Sequence, residues 1–212
     1  MLNGMKGAIF DLDGVIVDTA KYHFLAWRSL AEKLGFEFTE AHNERLKGVS
    51  RVESLRILLE VGGIEATEEE RLMMADNKNK EYVNYISQLD PSEILPGAKE
   101  YLEILRSQGV KIALGSASKN AEFILSKLNI TDLFDAVIDG TKVSKAKPDP
   151  EVFLQASTAL QLDPSQCVVF EDAEAGVQAG KAAGCQVVGI GSPDILKEAD
   201  IVVAGLYELL AQ

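Results

Sequence analysis

The sequence predicts an α/β protein, a doubly wound parallel sheet carrying an inserted helical domain. Three observations lead there. Short apolar runs ending at small or acidic residues recur along the chain, the pattern of strands buried on both faces. Helical stretches separate these runs, as a parallel sheet with crossover helices requires. The interval between the first run and the second, residues 16–91, breaks that rhythm with helical periodicity and no convincing strand.

In chain order, strands are expected at Met5–Phe10, Val110–Gly115, Ala136–Ile138, Val168–Phe170, Val187–Ile190 and Ile201–Val203. Lys99–Ser107 is helical and stops at Gly109, Ala121–Leu128 follows "SASKN", and Glu151–Leu160 follows Pro150, a residue suited to an early helical position. Ala173–Ala183 ends against Gly184, a favourable C-cap. Within the insert, "TAKYHFLAWRSLAEKLG" places His23, Trp27, Leu30 and Leu34 on one helical face, and "EEERLMMADNKNKEYVNYISQL" reads as a second long helix. Pro91, Pro96 and Gly97 in "DPSEILPG" mark the return. The expected division is therefore 1–15 and 92–212 for the sheet domain and 16–91 for the insert.

Composition narrows the function. Of 212 residues, 47% are hydrophobic and 25% charged, enough for a sizeable core. The net charge of −12 argues against nucleic acid or an anionic membrane as partner. Cys167 and Cys185 lie in apolar runs and read as core thiols of a reducing compartment. The first apolar run is cut off by Asp11 and Asp13, so neither a signal peptide nor a membrane span is expected, and a cytoplasmic protein is.

The chemistry gathers at strand ends. In a parallel sheet, ligands bind beyond the carboxyl ends of the strands. Those ends carry Asp11 and Asp13 in "FDLDGVIVDT", Ser116 in "IALGSASKN", and Glu171 and Asp172 in "VVFEDAEAG", with Lys147 in the loop "AKPDP". Four carboxylates invite a hard divalent cation, and oxygen donors with few histidines favour Mg²⁺ over zinc. A carboxylate also serves as a nucleophile toward phosphorus once cations neutralise the phosphoryl group. Asp13, two residues on, points elsewhere and can move a proton. Taken singly, Asp11 and Asp13 also fit a solvated turn, Glu171 and Asp172 an acidic helix start, and Lys147 a surface lysine.

These motifs, in this order, resemble the haloacid dehalogenase (HAD) superfamily over nearly the whole chain. The resemblance implies a HAD-like, Rossmannoid core, Asp11 as nucleophile and Asp13 as general acid/base. It implies Mg²⁺ held by Asp11, Glu171, Asp172 and the carbonyl of Asp13, with Ser116 and Lys147 on the transferring phosphoryl group. Aspartate at position 13 resembles the phosphomonoester branches rather than the dehalogenases. Ala173 departs from relatives carrying serine there, a minor loss near the metal.

Within the insert, "DTAKYHFLAW" and "LKGVSRVESL" resemble the β-phosphoglucomutase branch, in which a helical cap covers the site. A bisphosphate intermediate needs a second anion site. Lys47, Gly48, Ser50 and Arg51 offer a flexible loop with two cations, and Ala117, Ser118, Lys119 and Asn120 offer donors ahead of a helix. By resemblance, Arg51, Ser118 and Asn120 hold the non-transferring phosphate, and His23, Trp27 and Lys78 line the sugar pocket. Thr19 helps set closure and the acid/base position. Lys78 lies in "NKNKEY", which by itself reads as a solvated face.

The resemblance thus implies a Mg²⁺-dependent monomer interconverting β-glucose 1-phosphate and glucose 6-phosphate through β-glucose 1,6-bisphosphate. A sugar-phosphate phosphatase of the same fold is the alternative that the core motifs do not separate. A non-catalytic relative is the other, expected to have lost Asp11, Asp13, Lys147 or Asp172; none is lost.

Overall fold

The structure, a computed structural model, describes residues 4–46 and 50–210. Two compact units emerge. One holds the chain up to Asp18 and from Leu89 onward; the other is Thr19–Gln88.

The first unit is built on a six-stranded sheet. Its strands are β1 (Gly7–Phe10), β2 (Lys111–Gly115), β3 (Ala136–Ile138), β4 (Cys167–Glu171), β5 (Gln186–Ile190) and β6 (Ile201–Val203). They are all parallel, in the order β3-β2-β1-β4-β5-β6. Strand β1 is central, with Gly7 in register with Lys111 on one side and Cys167 on the other. All four of its residues are buried, which is why its sequence reads as a continuous apolar run.

Side chains alternate across the sheet as the pleat requires. Ile9, Val169 and Val187 join Phe153, Ala156 and Val177 in one core cluster. Phe10 and Phe170 point the other way, stacked with centroids 4.4 Å apart, and Tyr101 meets Phe10 edge-on at 6.3 Å. Cys167 and Cys185 are free and buried. Burial pushes the Cys167 thiol up to about 11 and Cys185 to about 12, so both stay protonated.

The chain leaves and re-enters this unit at neighbouring points. Val17 and Ile94 form an antiparallel bridge, and the Leu95 N–H donates to the Ile16 carbonyl at 2.9 Å.

The helical unit comprises α1 (Ala20–Lys33), α2 (Glu40–Glu44), α3 (Arg51–Gly62) and α4 (Glu68–Ile86). Trp27, Leu30, Phe38, Leu55 and Leu58 form its core. Hydroxyl caps start three of the helices: Thr39 accepts from the His42 N–H, Ser50 from the Glu53 N–H and Thr67 from the Glu70 N–H. His42 and Glu70 return the bond to the cap backbone, completing capping boxes. Beyond the insert, the helices of the sheet unit are α5 (Ala98–Ser107), α6 (Ala121–Lys127), α7 (Glu151–Ala159) and α8 (Glu174–Ala183). No helix among the described residues is long and apolar enough to cross a membrane.

Candidate active site

Strand order reverses at β1, where loops leaving neighbouring strands diverge and open a crevice. Asp11 is the first residue past β1, and its N–H still bonds the Phe170 carbonyl at 2.9 Å. The sheet therefore fixes its backbone. A single turn follows, with the Ile16 N–H on the Leu12 carbonyl at 2.9 Å and the Gly14 N–H on the Val17 carbonyl at 2.8 Å. Gly14 is required twice over: its φ is +73°, and a Cβ there would overlap the Asp172 carboxylate.

Glu171 ends β4 at 1% exposure and Asp172 follows it. A Cβ on Gly176 would occupy the space that the Glu171 carboxylate fills. Asp11, Glu171 and Asp172 each bring one carboxylate oxygen within 4.8 Å of the others. Lys147 answers them from its loop. Its ammonium donates to Asp11 Oδ1 at 2.6 Å, to the Gly115 carbonyl at 3.1 Å and to Glu171 Oε1, and lies 4.9 Å from the centre of the Phe153 ring.

One ammonium does not balance this much negative charge. Burial raises the Glu171 carboxyl, and the charge of Asp11 adds to the effect against the pull of Lys147. Asp172 is pushed up to about 8 by desolvation, then by Asp11, Glu171 and Asp13, although it keeps an open face to water that moderates the effect. Burial works against the charged form of Lys147, but Asp11 and Glu171 outweigh it and raise that group. The donor set fits a hard divalent cation. It is all carboxylate oxygen, it is negative in excess, and neither histidine nor cysteine belongs to it.

Asp13 is half-buried and bridges to Val17, and its carboxylate stands outside the converging three. Ser116 is buried just past β2, its N–H on the Ile138 carbonyl at 2.9 Å, while its Oγ accepts from the Ser118 N–H at 3.1 Å. Ser118 Oγ in turn accepts from the Asn120 N–H at 3.3 Å. This chain of turns shapes the loop Ser116–Asn120, with Ala117 and Lys119 exposed along it.

The helical unit makes its own cluster. Lys78 is only 3% exposed despite its charged sequence neighbourhood. Its Nζ lies 2.8 Å from His23 Nδ1, 4.3 Å from the centre of the Trp27 ring and 5.1 Å from that of Tyr82. Tyr82 stacks on His23 at 3.9 Å and donates its hydroxyl to Thr19 Oγ1 at 3.3 Å. Burial holds His23 well below the usual imidazole range, helped by the charges of Lys78 and Arg51. Burial and Arg51 bring Lys78 down to about 7. Arg51 begins α3 half-buried, lowered by that burial against the charge of Asp76. Ser50 is the cap of α3. Lys47 and Gly48 lie outside the described residues.

Sequence reasoning passed over Tyr82, although it stands one helical turn after Lys78, as Trp27 stands one turn after His23. Those two spacings were the available signal.

Residues 5–184 match the haloacid dehalogenase-like hydrolases. A β-phosphoglucomutase of Bacillus subtilis is 47% identical over 97% of this chain and 92% of its own length. A phosphorylated carbohydrates phosphatase of Thermotoga maritima is 35% identical over 86% of this chain and 83% of its own. Among solved structures, a β-phosphoglucomutase from Clostridium difficile superposes with a TM-score of 0.90 at 44% identity, covering 97% of this chain and 93% of that one. The match runs through the sheet and the insert alike: this chain belongs to the haloacid dehalogenase-like hydrolase family.

Proposed function

We propose that this protein is a β-phosphoglucomutase, converting β-glucose 1-phosphate to glucose 6-phosphate by way of β-glucose 1,6-bisphosphate. The observation that carries the reading is the 47% identity to the Bacillus subtilis β-phosphoglucomutase along 97% of the chain, insert included.

Asp11 is the nucleophile in this reading. Its carboxylate oxygen bonds to phosphorus as the bond from phosphorus to the leaving sugar oxygen breaks, giving an aspartyl phosphate. Lys147, already held against Asp11 at 2.6 Å, balances charge on the phosphoryl oxygens, and Ser116 orients them. Asp13 gives a proton to the departing oxygen and takes one from the attacking hydroxyl on the return step. Asp11, Glu171, Asp172 and the Asp13 carbonyl would hold Mg²⁺, which when bound supplies further charge compensation for the phosphoryl group.

Arg51, Ser118 and Asn120 recognise the phosphate that is not being transferred, with Lys47, Gly48, Ser50, Ala117 and Lys119 completing the anion loops. His23, Trp27 and Lys78 meet the sugar, and Thr19 sets the acid/base position. A mutase must also protect its phosphoenzyme from water until a sugar phosphate returns.

The test is ³¹P NMR of the protein with Mg²⁺, β-glucose 1-phosphate and a trace of glucose 1,6-bisphosphate. Signal passing to glucose 6-phosphate with little inorganic phosphate supports the reading. Rapid release of inorganic phosphate replaces it with a sugar-phosphate phosphatase.

A further inference from the structure

Lys147 reaches the acid cluster from the irregular segment 144–150, between β3 and α7. Apolar packing does not hold that segment. Ser144, Lys145 and Ala146 are exposed, and its outer side borders an open groove of about 630 Å³ walled by Ile138, Leu154 and Gln155. An ammonium that must meet three acceptors at once cannot be carried by a loosely held backbone without losing alignment. Something else anchors it.

That anchor is the side chain opening α7. The two Glu151 carboxylate oxygens accept from the Ser144 N–H at 3.0 and 3.1 Å, and Oε2 also takes the Ser144 hydroxyl at 2.9 Å and the Lys145 N–H at 2.8 Å. Gln155, one turn along the helix, donates to Oε1 at 3.0 Å and fixes the rotamer. At the other end of the segment, Asp149 Oδ1 accepts from the Glu151 N–H at 3.0 Å, and the Lys145 ammonium pairs with Oδ2 at 3.2 Å. Both ends of the segment carrying Lys147 are thus tied to one residue. A carboxylate suits this position because it accepts several N–H and O–H donors together, whereas an amide would turn a donor toward them. The donors in turn hold the Glu151 carboxyl below its usual range, the Ser144 N–H foremost.

We infer that Glu151 is the positioning residue for Lys147: by clamping Ser144 and Lys145 to the start of α7, it sets the approach of the Lys147 ammonium to Asp11. The inference rests on the proposed role of Lys147 at the transferring phosphoryl group, and Glu151 itself touches no reacting atom.

The experiment pairs Glu151→Gln with Ser144→Ala, which removes only the hydroxyl donor of an exposed residue. The full chain, Mg²⁺-loaded and without substrate, is examined by ¹H–¹⁵N NMR for the Lys147 ammonium resonance, and melting and turnover are measured alongside. Glu151→Gln should shift or broaden that resonance and lower kcat on the order of 10- to 100-fold with KM nearly constant. Ser144→Ala should move both in the same direction by less, and Glu151→Asp should restore part of the loss. Should Glu151→Gln fail to fold, Ser144→Ala carries the test. A resonance unmoved in the folded variants, or turnover falling only in step with melting temperature, overturns the inference. The resonance is read without substrate, so release of inorganic phosphate by the wild type would overturn the mutase reading and leave this one standing.

Discussion

The Lys78 ammonium lies 2.8 Å from His23 Nδ1, and only a neutral imidazole with its proton on Nε2 accepts a bond there. Tyr82 stacks on that imidazole, and the Trp27 ring lies 4.3 Å from the ammonium, favouring its charged form against the cost of burial. Burial first, and then the repulsion of Arg51 from α3, bring Lys78 down to about 7, and Asp76 on α4 acts on Arg51 in the opposite sense.

This arrangement fixes a pH dependence. Between about pH 7 and the unfolded lysine value of about 10.4, the unfolded chain holds a proton on Lys78 that the folded chain has shed. Stability therefore rises with pH through that window. The advantage of wild type over Lys78→Met in thermal melting should grow from pH 7 to pH 9. A difference that stays flat would rule out the shift.

Asp11→Asn separates chemistry from folding. Turnover should fall on the order of 10⁴-fold or more, with no phosphorylated protein seen by intact mass after incubation with β-glucose 1,6-bisphosphate. Melting should not drop, because Asp11 adds to the negative charge that raises Glu171 and Asp172. Retained phosphorylation would remove Asp11 as nucleophile.

Mg²⁺ should raise the melting temperature of the wild type, by linkage worth about 2.7 kcal/mol at a hundredfold excess over Kd. Asp172→Ala should lose most of that response. Calorimetric melts with Mg²⁺ and with EDTA decide it; an equal response in both proteins would place the cation elsewhere.

Gly14→Ala has a built-in control. Gly14 and Gly109 share a positive φ, +73° and +76°, but a Cβ at Gly109 meets nothing, while at Gly14 it meets Asp172. Both substitutions should cost about 1–2 kcal/mol in urea unfolding from backbone strain. Gly14→Ala alone should also blunt the Mg²⁺ response. Equal behaviour would show that the approach to Asp172 does not matter.

The sheet was legible because burial on both faces leaves an uninterrupted apolar run, and each run stops where chemistry begins. Phe10 gives way to Asp11, Gly115 to Ser116, and Phe170 to Glu171. Periodicity marked the same boundaries from the helical side, so α5 and α7 fall within a residue of expectation. The short α2 and the cap at Ser50 were harder, since five helical residues leave no periodic trace.

Lys78 resisted local reading altogether. Its partner His23 is 55 residues away, and only tertiary packing buries this one lysine of "NKNKEY" while Asn77 and Lys80 stay exposed. Glu151 illustrates the same limit differently. As a first-turn acid it reads as a response to the helix dipole, and its grip on Ser144 and Lys145 depends on a loop that no periodicity describes.

The bridge between Val17 and Ile94 has a consequence for how this architecture diversifies. The two ends of the insertion are stitched together within the sheet unit, so closing that unit makes no demand on what is spliced between Asp18 and Leu89. Segments of different length or composition can be exchanged at this joint while the residues around Asp11 keep their places. A graft that kept Ile16, Val17, Ile94 and Leu95 would leave the strand ends around Asp11 in place and carry away only what the exchanged segment itself brings, Thr19, His23 and Arg51 among it.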